Sequence, residues 1–256
     1  MKLRIIIITL CLTFLGHHFE IEAKRGPRRK RAYNCSAKYQ KAHTRFEKGR
    51  YGDVQSRLSD MKYNCNGHPV YDSLLYLLGR AYMLGKKPQE GKVEFQQLTR
   101  DFPESPFFVE TRYRIAQCSY LTSASWDRDQ TETRQAIREL NLFLDRYPDS
   151  GFADSAKADL AACREKLAKK DFMSASFYKK IEEFESAVVY YRVVINDHPE
   201  TSYVPHAKLA MAESLLKINQ NSEARSILDD LIDTKGVAPA IKEKALDLQD
   251  KLIRAR

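Results

Sequence analysis

One short pattern recurs along this 256-residue chain and limits what it can fold into. Asp101-Phe102-Pro103-Glu104-Ser105-Pro106-Phe107 returns as Arg146-Tyr147-Pro148-Asp149-Ser150-Gly151-Phe152 and again as Asp197-His198-Pro199-Glu200-Thr201-Ser202-Tyr203. His68-Pro69-Val70-Tyr71 is a looser copy. Each copy closes a helical pattern with Pro and opens another with Ser or Thr, read as a helix N-cap. The four prolines stand 34, 45 and 51 residues apart. Such spacing describes stacked helical units, each burying its apolar face only against its neighbours. Ten Gly and nine Pro are too few for the turns of an all-β chain this long.

Thirty-four residues is the tetratricopeptide period, and the segment from Pro69 to Pro103 fits that motif closely. Leu75, Leu78, Gly79 and Tyr82 share one face of a first helix, and Gly85-Lys86-Lys87-Pro88 makes the turn, with Pro88 suited to the first helical position. Gly91, Phe95 and Leu98 face back from a second helix. Gly79 and Gly91 mark a close helix crossing, while Tyr82 and Phe95 fill the gaps between units. Tyr39, Ala42 and Phe46, then Val54 and Leu58, repeat the scheme in a first unit. In the third unit a polar insertion around Trp126-Asp127-Arg128-Asp129-Gln130 explains the spacing of 45. No Gly or Pro interrupts residues 152–180, so one helix of nearly thirty residues explains the spacing of 51. The expected fold is all-α: a right-handed tetratricopeptide-like solenoid of about five helix pairs over residues 35–256, closed by a C-terminal helix from Ala238 to about Arg254.

The front end differs from the body. Lys2 and Arg4 precede the apolar run Ile5 to Leu15, about half of a bilayer span, and a polar stretch ends at Ala23, so residues 1–23 read as a secretory signal. Residues 24–34 form a basic tether containing Lys24, Arg25, Arg28, Arg29, Lys30 and Arg31, either a solvated linker or an electrostatic foothold on anionic lipid. Residues 1–31 hold eight of the 43 Lys and Arg and two of the 34 acids, so +6 of the net charge of +9 sits there. The positive charge is therefore local and gives no case for nucleic-acid binding.

Two segments carry a family resemblance. Trp126 to Ser150, with the Asp-Arg-Asp-Gln insertion before Arg146-Tyr147-Pro148-Asp149-Ser150, is similar to the third repeat of the outer-membrane protein assembly factor BamD family. Lys166 to Tyr178 resembles that family's long fourth-repeat helix, and the likeness runs from about Cys35 to Ile232. It implies a periplasmic scaffold of the β-barrel assembly machinery at the outer membrane. The partners it implies are the POTRA domains of the central barrel protein, unfolded outer-membrane proteins and accessory lipoproteins. One departure stands out. The family's acylated Cys follows the signal directly; Cys35-Ser36-Ala37-Lys38-Tyr39 resembles that start, but Arg28 to Asn34 precede it instead of an apolar run. Other readings are an exported repeat adaptor for envelope or pilus assembly, or, in a different class, the helical part of a cell-wall lytic enzyme.

Helical spacing picks out the surface residues. Tyr76, Arg80 and Met83 in the second unit, and Tyr113, Gln117 and Tyr120 in the third, are expected to line a concave groove for an extended or helical peptide, particularly one ending in an aromatic residue and a carboxylate. The alternative is that they serve packing between repeats. Trp126, with Asp127 and Arg128, either anchors a partner or packs its ring back on Tyr120 or Tyr147. Phe177, Tyr178 and Tyr190 read as core, which leaves Tyr191 and Arg192 to face a partner. Cys118 and Cys163 read as small core residues. Cys35 opens the first helical hairpin and Cys65 follows it, so the two chain ends meet and a disulfide is expected. No nucleophile, metal or phosphate motif appears, so neither catalysis nor a metal or cofactor is expected.

Overall fold

The computed structural model describes residues 33–254. The expected signal and the basic tether residues Lys24, Arg25, Arg28, Arg29, Lys30 and Arg31 lie outside the described residues. Among the described residues there are eleven α-helices and no strand. They run as five pairs, α1 Cys35–Glu47 with α2 Tyr51–Asn64, α3 Tyr71–Leu84 with α4 Pro88–Asp101, α5 Phe108–Thr122 with α6 Thr131–Arg146, α7 Ala153–Lys180 with α8 Phe184–Asp197, and α9 Tyr203–Lys217 with α10 Asn221–Asp233, before the closing helix α11 Pro239–Arg254. Each helix packs on the next. First helices also touch one another (α1 with α3, α5 with α7, α7 with α9), with no comparable contact between second helices among the described residues. The first helices are therefore the crowded, inner row of the solenoid.

Four of the five pairs turn in the same way. Gly49, Lys86, Glu182 and Asn219 each adopt a positive φ of 61–71°. The following amide then reaches back five residues, Arg50 to the Arg45 carbonyl, Lys87 to Tyr82, Glu183 to Tyr178 and Gln220 to Leu215, at 2.9–3.0 Å. This satisfies carbonyls that the helix end leaves open. In the second turn the left-handed residue is Lys86, and Gly85 has another role. A Cβ on Gly85 would stand 2.3 Å from the Gln55 side-chain nitrogen, which donates a 2.9 Å hydrogen bond to the Ala81 carbonyl.

The Ser and Thr of the Pro motifs make no side-chain N-capping bond, and only Ser202 stands at a capping position. The other capping positions fall at Val70, Phe107 and Phe152. Ser105 instead donates to Asp72 Oδ2 at 2.8 Å, and Ser202 to Glu165 Oε2 at 3.0 Å, tying each new unit to the first helix of the unit before.

The close crossing of α3 and α4 is real. A Cβ on Gly79 would meet the Phe95 ring at 2.5 Å, and one on Gly91 would meet the Gly79 carbonyl oxygen at 2.8 Å. Phe95 is wholly buried beside Ile115 and Cys118 of the next unit. The 28-residue α7, about 42 Å long, serves two hairpins. Ala156, Leu160 and Cys163 enter the core of the third pair, with Tyr113, Leu140 and Phe143. Ala175 enters the next core, with Val188, Tyr191, Val194 and Met211. Cys118 and Cys163 are buried free thiols. Cys35 and Cys65 are disulfide-bonded, with Cα atoms 5.8 Å apart.

Several assignments of side chains to surface or core are corrected. Tyr113, read as groove-lining, is 2% exposed, and Tyr191, read as partner-facing, is 1% exposed. Phe177 and Tyr190, read as core, are 58% and 37% exposed. The α7 extension shifts the register: Tyr191 meets Phe172 and Ser176 on its inner face, so its neighbour Tyr190 must turn outward.

Candidate functional site

The inner row carries a ladder of aromatic and charged side chains from α1 to α7. Tyr76 and Arg80 lie one turn apart on α3, and Arg80 Nη1 donates to the Tyr76 hydroxyl at 2.8 Å. The same nitrogen pairs with Glu110 of α5 at 3.4 Å. The guanidinium stands 5.9 Å from the centre of the Phe46 ring of α1 and 5.7 Å from that of Tyr76, and Tyr76 stacks on Phe107 at 4.3 Å. Arg80 Nε is buried with no hydrogen-bond partner among the described residues. Burial, then the nearby Glu110 carboxylate, pushes the Tyr76 hydroxyl up to about 12, so it stays a neutral donor and acceptor. Met83 is half-buried beside the Phe95 cluster.

The third unit continues the ladder but from behind the surface. Tyr113 donates to Asp159 of α7 at 2.8 Å, which fixes the first helices of two units together. Burial and that carboxylate hold its hydroxyl well above the usual tyrosine range. Gln117 donates to the Tyr113 hydroxyl at 2.9 Å and accepts from Arg114 at 2.7 Å. Tyr120 lies under Lys166 of α7, whose ammonium is 5.4 Å from the ring centre. Arg114 is the residue that sequence reading missed. It binds Glu110 at 2.7 Å and lies over the Tyr113 and Phe152 rings. Its signal was present, since Glu110 and Arg114 stand four apart on one helix face. Glu110 and Arg114 thus join Tyr76, Arg80 and Gln117 in one network with Tyr113 as its support, while Met83 packs on the Phe95 cluster and Tyr120 lies under Lys166.

A second surface forms where the insertion meets the middle of α7. Trp126 does not pack on Tyr120 or Tyr147; its ring lies against α7, with Lys169 Nζ 5.2 Å from its centre. Lys166 donates to the Ser123 hydroxyl and Lys170 to the Arg128 carbonyl, which pins both ends of the insertion. Trp126, Asp127, Lys170, Met173, Ser174, Phe177, Tyr178 and Tyr190 line a groove of about 410 Å³. Tyr178 and Tyr190 stack at 4.9 Å in its wall. Arg192, two residues beyond Tyr190 on α8, lies outside the groove and pairs with Glu223 of α10 at 2.6 Å. Asp127 and Arg128 are exposed beside the groove, while Tyr191 is not part of it.

Residues 31–228 match the family YfiO, described as outer membrane lipoprotein. The chain belongs to that family. Relatives include the outer membrane protein assembly factor BamD of Caulobacter vibrioides, 26% identical over 151 residues covering 59% of this chain and 50% of that protein. BamD of Xylella fastidiosa is 20% identical over 210 residues, covering 74% of this chain and 70% of that protein. The matched stretch thus spans about half the length of the Caulobacter relative. A solved thermophilic tetratricopeptide protein of Thermus thermophilus aligns over 84% of this chain and 98% of its own, at 13% identity and a TM-score of 0.36.

The YfiO match takes in both surfaces and the disulfide, and leaves α11 beyond it. Among the described residues no helix is long and apolar enough to cross a membrane, and no group of His, Cys, Asp and Glu is arranged to hold a metal ion.

Proposed function

We propose that this chain is a periplasmic scaffold of the β-barrel assembly machinery, on the outer-membrane side of the envelope. In this reading the inner ladder receives unfolded outer-membrane proteins through their C-terminal signal, and the groove at α7 and α8, with Arg192, receives the POTRA part of the central barrel protein. Family membership and BamD relatives support the assembly role. The observation that carries the client site is Arg80. Its Nε is buried and unpartnered, and its guanidinium is held between Phe46 and Tyr76. A guanidinium already fixed by Tyr76 and Glu110 loses little freedom on accepting a carboxylate, and the flanking rings suit a terminal aromatic side chain.

Fluorescence anisotropy with a labelled peptide ending in Phe and a free carboxylate tests the client site. Amidation of the peptide and Arg80→Gln should each weaken binding at least tenfold, matching about 1.5–3 kcal/mol for a charged hydrogen bond, and the two losses should not add. Equal affinity for the acid and the amide would overturn the client assignment. For the second groove, capture of the POTRA fragment should fall with Phe177→Ala and Arg192→Ala and persist with Arg80→Gln. Capture from detergent-solubilised envelopes of pilus proteins without a barrel protein would favour a different exported adaptor.

A further inference from the structure

The charge of this protein is concentrated in one terminal stretch. Residues 24–50 contain eleven Lys and Arg and the single acid Glu47, a net of +10, whereas residues 51–256 sum to −1. Part of that stretch is folded. Lys38, Lys41, Arg45 and Lys48 follow at intervals of three and four along α1 and its turn, so they form one stripe about 15 Å long. Ala42, four residues after Lys38 and three before Arg45, is buried beside this stripe, so the cations border the buried seam of the helix with their charged ends outside it. Lys38, Lys41, Lys48 and Arg50 are exposed. Lys41, Thr44, Arg45, Lys48 and Arg50 line a shallow depression of about 230 Å³. Arg45 pairs with Asp53 at 3.2 Å, while Lys41, Lys48 and Arg50 form no ion pair among the described residues. The same hairpin carries Tyr63, whose 92% exposure is unusual for an aromatic side chain.

The sulfur of Cys35 bears on what this end does. A thioether-linked lipid requires that atom, but Cys35 is 5% exposed and its sulfur is bonded to Cys65. We propose that the first hairpin is a membrane-docking end. The basic stripe of α1, with Arg50, binds an anionic phospholipid surface and takes the place of a lipid on Cys35. The occupant follows from charge complementarity. A cluster of exposed ammonium and guanidinium groups suits a plane of phosphate head groups, with strength that falls as salt rises. The inference goes beyond the assembly role and does not depend on it.

Co-sedimentation of the full exported chain with vesicles tests this. The chain should pellet with phosphatidylethanolamine vesicles containing about 30% phosphatidylglycerol at about 50 mM salt, leave them at about 500 mM, and ignore phosphatidylcholine. The combined variant Lys41→Glu, Lys48→Glu, Arg50→Glu should lose at least tenfold in partitioning. Its control is Lys217→Glu, Lys235→Glu, Lys244→Glu, an equal charge change on exposed residues at the far end of the solenoid, which should stay within twofold of the parent. A circular dichroism melt verifies that both remain folded. Equal losses in the two variants, no loss in the first, or binding to heparin but not to anionic vesicles would each overturn the proposal. Intact mass and peptide mapping supply an independent readout: a Cys35–Cys65 linked peptide supports it, and a diacylglyceryl adduct on Cys35 overturns it.

Discussion

Gly91→Ala tests the helix crossing that sets the position of Tyr76 and Arg80. The added Cβ would lie 2.8 Å from the Gly79 carbonyl oxygen and 3.3 Å from the Met83 nitrogen, both backbone atoms that no rotamer change can move. Restoring ordinary contact means opening the α3–α4 crossing by about 0.6 Å along a fully buried seam that includes Leu78, Phe95 and Leu98. Overpacking of this kind costs about 1–3 kcal/mol, and Ala returns about 0.8–1 kcal/mol through helix propensity. The expected net loss is up to about 2 kcal/mol. Gly52→Ala is the matched control. Nothing lies within 4 Å of its Cβ in the first turn of α2, so only the propensity gain of up to about 1 kcal/mol remains. Urea unfolding followed by circular dichroism should therefore shift the two midpoints in opposite directions at an unchanged m-value. A Gly91→Ala midpoint at or above that of the parent, with Gly52→Ala behaving as expected, would refute the claim that backbone proximity demands glycine there.

Three further outcomes are expected. Reducing the Cys35–Cys65 disulfide, whose residues are 30 apart in sequence, should destabilise α1 and α2 by on the order of 3–4 kcal/mol on the chain-entropy model; hydrogen exchange should locate the loss in this first hairpin, and a uniform loss would refute that placement. Burial pushes Cys118 up to about 12 and Cys163 to about 11 from an ordinary value of 9.0, so the unfolded thiols lose protons first as pH rises. Their contribution to stability is complete below pH 9 and declines above it, by up to about 1.4 kcal/mol per pH unit per thiol, and Cys118→Ala with Cys163→Ala should flatten the alkaline limb of a stability–pH profile. Phe177→Ala should change the thermal midpoint little because its ring is exposed, whereas Tyr191→Ala should cost about 3–5 kcal/mol; comparable melting losses would contradict the register assigned to α7 and α8.

The repeat architecture was legible in the amino-acid sequence because it rests on local chemistry. Pro at fixed intervals ends helices, apolar residues three and four apart mark buried faces, and small residues such as Gly79 and Gly91 mark where backbones approach. The same reasoning found the long α7 from its lack of breakers and placed Tyr76 and Arg80 one turn apart on a shared surface. What it could not decide was the direction of side chains wherever two helices compete for the same face. Tyr113 lies inside because Asp159, 46 residues later, supplies a buried acceptor for its hydroxyl. Tyr191 rather than Tyr190 enters the core because the second half of α7 presents Phe172 and Ser176 to it. The turns show the same division. That a turn falls at Gly85-Lys86 is local, but Gly85 is required by an amide from α2, and the left-handed position passes to Lys86. Helix identity and period follow from interactions within a few residues. Which of two adjacent aromatic rings is buried depends on partners in another unit, and only the assembled stack brings those partners together.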